Sequence, residues 1–108
     1  EMKNIEFSKN IHLEDEITYQ AGTVVSKTLY QTKSVSITLF AFDKGEGLTP
    51  HASKGDALVT ILDGEVIVDI DGQESLLKTG ESILMPRNIP HGLQAIKAFK
   101  MLLIITFE

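Results

Sequence analysis

An alternation of period two runs through most of this chain and constrains its fold more than any other feature. Successive side chains of an extended strand point to opposite faces, so a two-residue period writes β-structure where a helix would write 3.6. Residues 34–42 (SVSITLFAF) place Val35, Ile37, Leu39 and Ala41 on one parity and Ser36, Thr38, Phe40 and Phe42 on the other. Residues 57–63 and 65–71 read as two more strands, joined at Asp63-Gly64, whose glycine reaches positive φ without a Cβ clash. Asp71-Gly72 repeats the device ahead of residues 73–78, and Thr79-Gly80-Glu81 makes a third turn. Residues 82–85 form a short strand stopped by Pro86. Residues 93–96 and 99–107 follow, joined near Lys97-Ala98, and residues 23–30 form an early strand. Only residues 10–19 hint at a helical turn, and they read equally well as an extended arm.

Many short strands punctuated by glycine turns predict an all-β antiparallel sandwich or barrel. At 108 residues the chain is expected to be a single domain, with residues 1–22 as an arm or edge strand and residues 34–107 as the barrel core. Several strands are apolar on both faces, as in Leu58 and Leu62 against Val59 and Ile61. One face fills the interior, so the other must meet a second sheet or a partner subunit. A homodimer is the expected partner.

Composition narrows the function. Ten Lys and Arg against fifteen Asp and Glu leave a net charge of −5, which argues against nucleic acid and against a polybasic membrane surface. No apolar stretch approaches the ~20 residues of a membrane helix, and residues 1–4 lack a signal pattern, so a cytoplasmic location is expected. With no cysteine there is no disulfide, thiolate ligand or thiol nucleophile. His12, His51 and His91 therefore hold most of the soft-metal and near-neutral acid–base capacity.

His51 lies in a loop after Gly45, Gly47 and Pro50, and His91 in the segment Pro86-Arg87-Asn88-Ile89-Pro90-His91-Gly92. Both sit at strand edges beside irregular backbone, where functional groups concentrate. The spacing around them resembles that of the cupins, a superfamily of small conserved β-barrels. Their first motif, G-x5-H-x-H-x3-4-E-x6-G, is matched by Gly45, His51 and Gly64, with Ser53 and Ala57 at the second His and the Glu. Their second, G-x5-P-x-G-x2-H-x3-N, is matched by Gly80, Pro86 and His91. There Asn88 replaces Gly, a substitution the left-handed region tolerates, and Ala95 replaces the final Asn. The resemblance spans residues 34–107 and implies a double-stranded β-helix, a jelly-roll-like barrel.

In metal-binding cupins the two His and the Glu of the first motif and the His of the second hold a divalent ion. Carried over, those positions are His51, Ser53, Ala57 and His91, so two of four ligands are kept. Iron sites of this type use two His and a carboxylate, and catalytic zinc sites use three protein ligands. A site for Fe, Mn, Ni or Zn would need Asp56 as well. Asp56 has the wrong parity and would turn inward only if Lys54-Gly55 formed a bulge.

His51, Ser53, Met85, His91, Leu93, Phe40 and Met101 are the expected lining of a ligand pocket, with Met85 nearest His91. Ser53 lacks the partners of an acyl-transfer triad. Arg87 is either a bidentate anchor for an anionic ligand or a surface residue, and His12 is an ordinary surface or interface histidine. The eroded motif favours a module that binds a small molecule near His51 and His91 without a complete metal site. The alternatives are a metal-dependent cupin enzyme of oxygenase or isomerase type, using His51, His91 and Asp56, and a structural role through the dimer.

Overall fold

The period-two segments become nine strands in a computed structural model that describes residues 1–108. In chain order they are β1 (Val24–Gln31), β2 (Val35–Phe42), β3 (Gly47–His51), β4 (Asp56–Asp63), β5 (Glu65–Ile70), β6 (Gln73–Lys78), β7 (Ser82–Met85), β8 (His91–Gln94) and β9 (Phe99–Thr106). A five-stranded sheet runs β1-β2-β9-β4-β7 and a four-stranded sheet runs β3-β8-β5-β6. Every pairing is antiparallel. The fold is an all-β barrel of two sheets, as the alternation predicts.

Two elements depart from that reading. The loop carrying His51 is a strand, β3, whose residues GLTPH show no alternation and are exposed throughout. Pairing with β8 holds it extended, and no alternation marks it. The strand expected at 93–96 starts earlier, at His91, so both histidines lie within the sheet. The N-terminal arm contains no strand, only a short 3-10 turn at Leu13–Glu16.

Side chains of one parity fill the space between the sheets. Phe42, Val59, Ile61, Phe99 and Met101 from the larger sheet meet Val66, Val68, Leu77 and Leu93 from the smaller in one buried cluster. Phe42 and Phe99 stack at its centre, with ring centroids 4.5 Å apart and planes 10° from parallel. Each fully buried side chain of this size contributes about 1.5–3 kcal/mol of hydrophobic stabilisation. Gly64, at φ 78°, turns β4 into β5 where a Cβ would run into the Ala98 carbonyl.

The opposite parity of the larger sheet forms a second cluster. Leu29, Leu39 and Ala41 pack with Ile17 of the arm, and Ile5, Tyr19 and Leu102 close around them. The chain thus covers part of its second apolar face with its own N-terminus. Polar contacts fasten the arm. Tyr19 donates its hydroxyl to Asp63 at 2.5 Å, while Lys27 and Lys100 donate to the carbonyls of Glu16 and Glu14. The Lys100 ammonium also lies 5.0 Å from the Tyr19 ring centroid, a cation–π distance. Further along this face the cover ends. Ile37, Ile104, Leu58 and Leu84 are register partners across four strands, and Leu84 is 61% exposed.

Candidate functional site: a histidine pair over an apolar cavity

Both histidines follow a proline, in Thr49-Pro50-His51 and Ile89-Pro90-His91. Proline fixes its own φ and biases the preceding residue toward extended backbone. In both segments the imidazole Nδ1 lies 3.2 Å from the carbonyl oxygen two residues back, Thr49 for His51 and Ile89 for His91. Antiparallel pairing of β3 with β8 makes the two histidines register partners. Their ring centroids are 4.8 Å apart, with planes inclined at 58°. His91 is buried and His51 exposed, so the pair spans the wall from interior to surface.

Asn88 holds the approach to this pair. It sits at φ 63°, the left-handed backbone expected where the cupin motif carries glycine, and its N–H donates to the Ser53 carbonyl at 2.7 Å. Gly92 lies beside His91 where a Cβ would press on the Leu48 carbonyl and Pro50, so its missing side chain lets β3 close over β8. Burial pushes the His91 imidazole below its ordinary pKa. The Ile89 carbonyl opposes that shift, and the neighbouring His51 adds to it.

Behind the pair lies a cavity of about 180 Å³. Six of the seven expected lining residues surround it: His51, Ser53, Met85, His91, Leu93 and Met101. Phe40 does not. It packs against the main core with its ring 5.9 Å from that of Phe42. Leu48, Ala57, Val59, Leu103 and Ile105 complete the apolar wall. Val59 shares a parity with Ala57, and Leu103 and Ile105 share one with Met101, so the strand period already contained the signal for them. Leu48 had no such signal, since β3 carries no alternation.

The donor set does not fit a resident metal ion of the family's kind. Ala57 lines the cavity but has no ligand atom. The Ser53 hydroxyl accepts the Gly55 N–H at 3.1 Å. Asp56 does not turn inward. Its Oδ1 accepts the Arg87 backbone N–H at 2.9 Å, and its carboxylate pairs with the Arg87 guanidinium at 3.4 Å. Those contacts, the backbone hydrogen bond foremost, hold the Asp56 carboxyl below the usual carboxylate range. Nowhere do three His, Asp or Glu residues converge as a ligand cluster.

Arg87 is therefore occupied outside the cavity, clasping Asp56 and the Glu108 backbone carbonyl. His12 lies in the arm beside Glu14, at 3.6 Å and largely exposed. A wider groove of about 370 Å³ crosses the outside of the smaller sheet, with Asp69 and Glu74 in its lining. It is open to solvent, and the Asp69 carboxylate is engaged by the Gly72 N–H of its own turn.

A two-sheet antiparallel barrel with an interior cavity beneath paired histidines is the architecture of a small-barrel protein with a central site. The cupin domain family matches residues 38–106, and the chain belongs to that family. It is similar to a conserved protein of unknown function from Streptococcus pyogenes, at 39% identity and a TM-score of 0.96, covering 99% of this chain and 94% of that one. A cupin superfamily protein from Desulfitobacterium hafniense is 30% identical, with a TM-score of 0.95 and coverage of 100% and 99%. A cupin 2 conserved barrel domain protein from Leptotrichia buccalis is 44% identical, with a TM-score of 0.86 over 89% of this chain and 47% of that longer one. No curated protein matches the chain. None of its helices is long and apolar enough to cross a membrane.

Proposed function

We propose that this cupin binds a small molecule in the barrel beside His51 and His91, without a complete metal site. The observation that carries this reading is the cavity itself, an apolar space of about 180 Å³ with two imidazoles at one end. Ligand sites of small barrels have this form, apolar walls with a few placed polar groups. Met85 and Met101 line it and offer methyl reporters. A library of small aromatic and aliphatic fragments, screened by ¹³C-methyl NMR, should shift both methyls saturably. If no fragment moves them, or shifts map only to the groove around Asp69 and Glu74, the reading fails.

One observation supports a second reading, a divalent-metal cupin enzyme of oxygenase or isomerase type. Metal-bound histidines usually donate their other ring N–H to a carbonyl or carboxylate, and both Nδ1 atoms here lie against carbonyls. Two imidazoles remain short of the three protein ligands such sites use.

We also infer that two copies pair through the outer face of the larger sheet. The row Ile37, Ile104, Leu58 and Leu84, which the arm leaves partly open, supports this.

A further inference from the structure

A carbonyl oxygen only accepts hydrogen bonds, so an imidazole nitrogen held against one must carry the proton. Both histidines are held this way, at 3.2 Å to Thr49 and to Ile89. In the neutral rings the proton is therefore on Nδ1, and Nε2 keeps a lone pair. Neither Nε2 has a protein partner, because the only hydrogen bonds these side chains make are those through Nδ1. The site thus presents two bare acceptors from rings 4.8 Å apart.

The remainder of the lining carries no charged side chain. Asp56 and Arg87 pair with each other outside it. An anion would find no cation there and a cation no carboxylate, so either would be desolvated without a partner. A neutral molecule avoids that cost. Val59, Met85, Leu93, Met101, Leu103 and Ile105 supply apolar contact for the rest of it. An apolar cavity of about 150 Å³ accommodates benzene, so the 180 Å³ here suits one ring or a short branched chain.

We propose that the cavity selects small neutral molecules with an O–H or N–H donor at one end and an apolar body, each donor hydrogen being held by the Nε2 of His51 or of His91. This ligand class rests on the reading of the cavity as a binding site. The donor end meets the two acceptors, and the apolar end lies toward Met85 and Met101. A ligand of equal size without a donor fills the same space but leaves the nitrogen of the buried His91 without a partner. That loss sets the selectivity.

Phenol and toluene, matched in size and differing in the donor, are the test probes. Long-range ¹H–¹⁵N spectra of the free protein should show both rings protonated at Nδ1. Phenol should shift the Nε2 resonance of the ring that accepts its proton and bind about ten-fold or more tighter than toluene. A His51→Leu/His91→Leu variant should keep toluene binding and lose the preference for phenol. The wild-type comparison stands alone if that variant does not fold. Equal binding of phenol and toluene, an Nε2–H tautomer in either ring, or tighter binding of benzoate or butylammonium would each overturn the donor proposal and leave a binding cavity in place. Stoichiometric capture of Zn²⁺ by the two Nε2 atoms, displacing phenol, would overturn it in favour of a metal site. If neither phenol nor toluene moves the Met85 and Met101 methyls, the binding reading falls with it.

Discussion

His51 and His91 stand opposite each other across β3 and β8, each turned back by a preceding proline so that Nδ1 meets the carbonyl two residues earlier. The repeat of X-Pro-His on two neighbouring antiparallel strands gives both rings the same Nδ1 contact. Both rings line one cavity.

The missing ligands are restorable. Purified wild-type protein should contain no stoichiometric Fe, Mn, Ni or Zn by elemental analysis. A Ser53→His/Ala57→Glu variant would place an imidazole and a carboxylate on the cavity wall with His51 and His91. Calorimetry should detect tight divalent-ion binding in the variant only. Wild-type protein that binds as tightly would refute the two-ligand reading.

The stacked aromatic pair is the centre of the core. Phe99 is fully buried against Phe42. Truncation of Phe99 to alanine should cost about 3–5 kcal/mol in urea unfolding. A cost below about 1 kcal/mol would mean that the sheets can close over the vacated volume.

Acid should weaken the fold in two stages. The His91 pKa is lowered in the folded state, so the unfolded chain takes up its proton first. Stability is full above the unfolded value of ~6.5 and falls as pH drops below it, levelling off under the folded pKa. Asp56 is also lowered, by Arg87. Its contribution is present above the unfolded value of ~3.9 and is lost as pH falls through the folded one. Melting temperature against pH should lose the first slope in His91→Asn and the second in Asp56→Asn. Unchanged slopes would contradict the assignment.

The open end of the outer apolar row bears the dimer proposal. Sedimentation at micromolar concentration should give about twice the 11.9 kDa chain mass. Leu84→Glu, on a side chain 61% exposed, should return the monomer with little change in melting temperature. A monomeric wild-type protein would remove the proposal.

Much of this molecule was legible without coordinates. Residues 73–78 and 82–85 emerge as β6 and β7 with the boundaries the alternation and turns imply. Asn88 takes the left-handed backbone that its place in the motif implies. Period and turn chemistry are local properties, written in adjacent residues, and so survive in a bare sequence.

Tertiary structure decided which apolar face did what. Both parities of residues 35–42 carry large apolar side chains, and only the assembled sheets put Phe42 inside and Leu39 under the arm. Phe40 went to the core rather than the cavity for the same reason, since burial depends on the facing sheet and not on spacing. Asp56 was settled by Arg87, a partner distant in sequence. The place of β3 in the sheet came from its pairing with β8. Sequence by itself determined the barrel and the two histidines worth following. Only the pairing of distant strands brought those histidines together on the wall of one cavity, because long-range register is a property of the closed sheet and of no local segment.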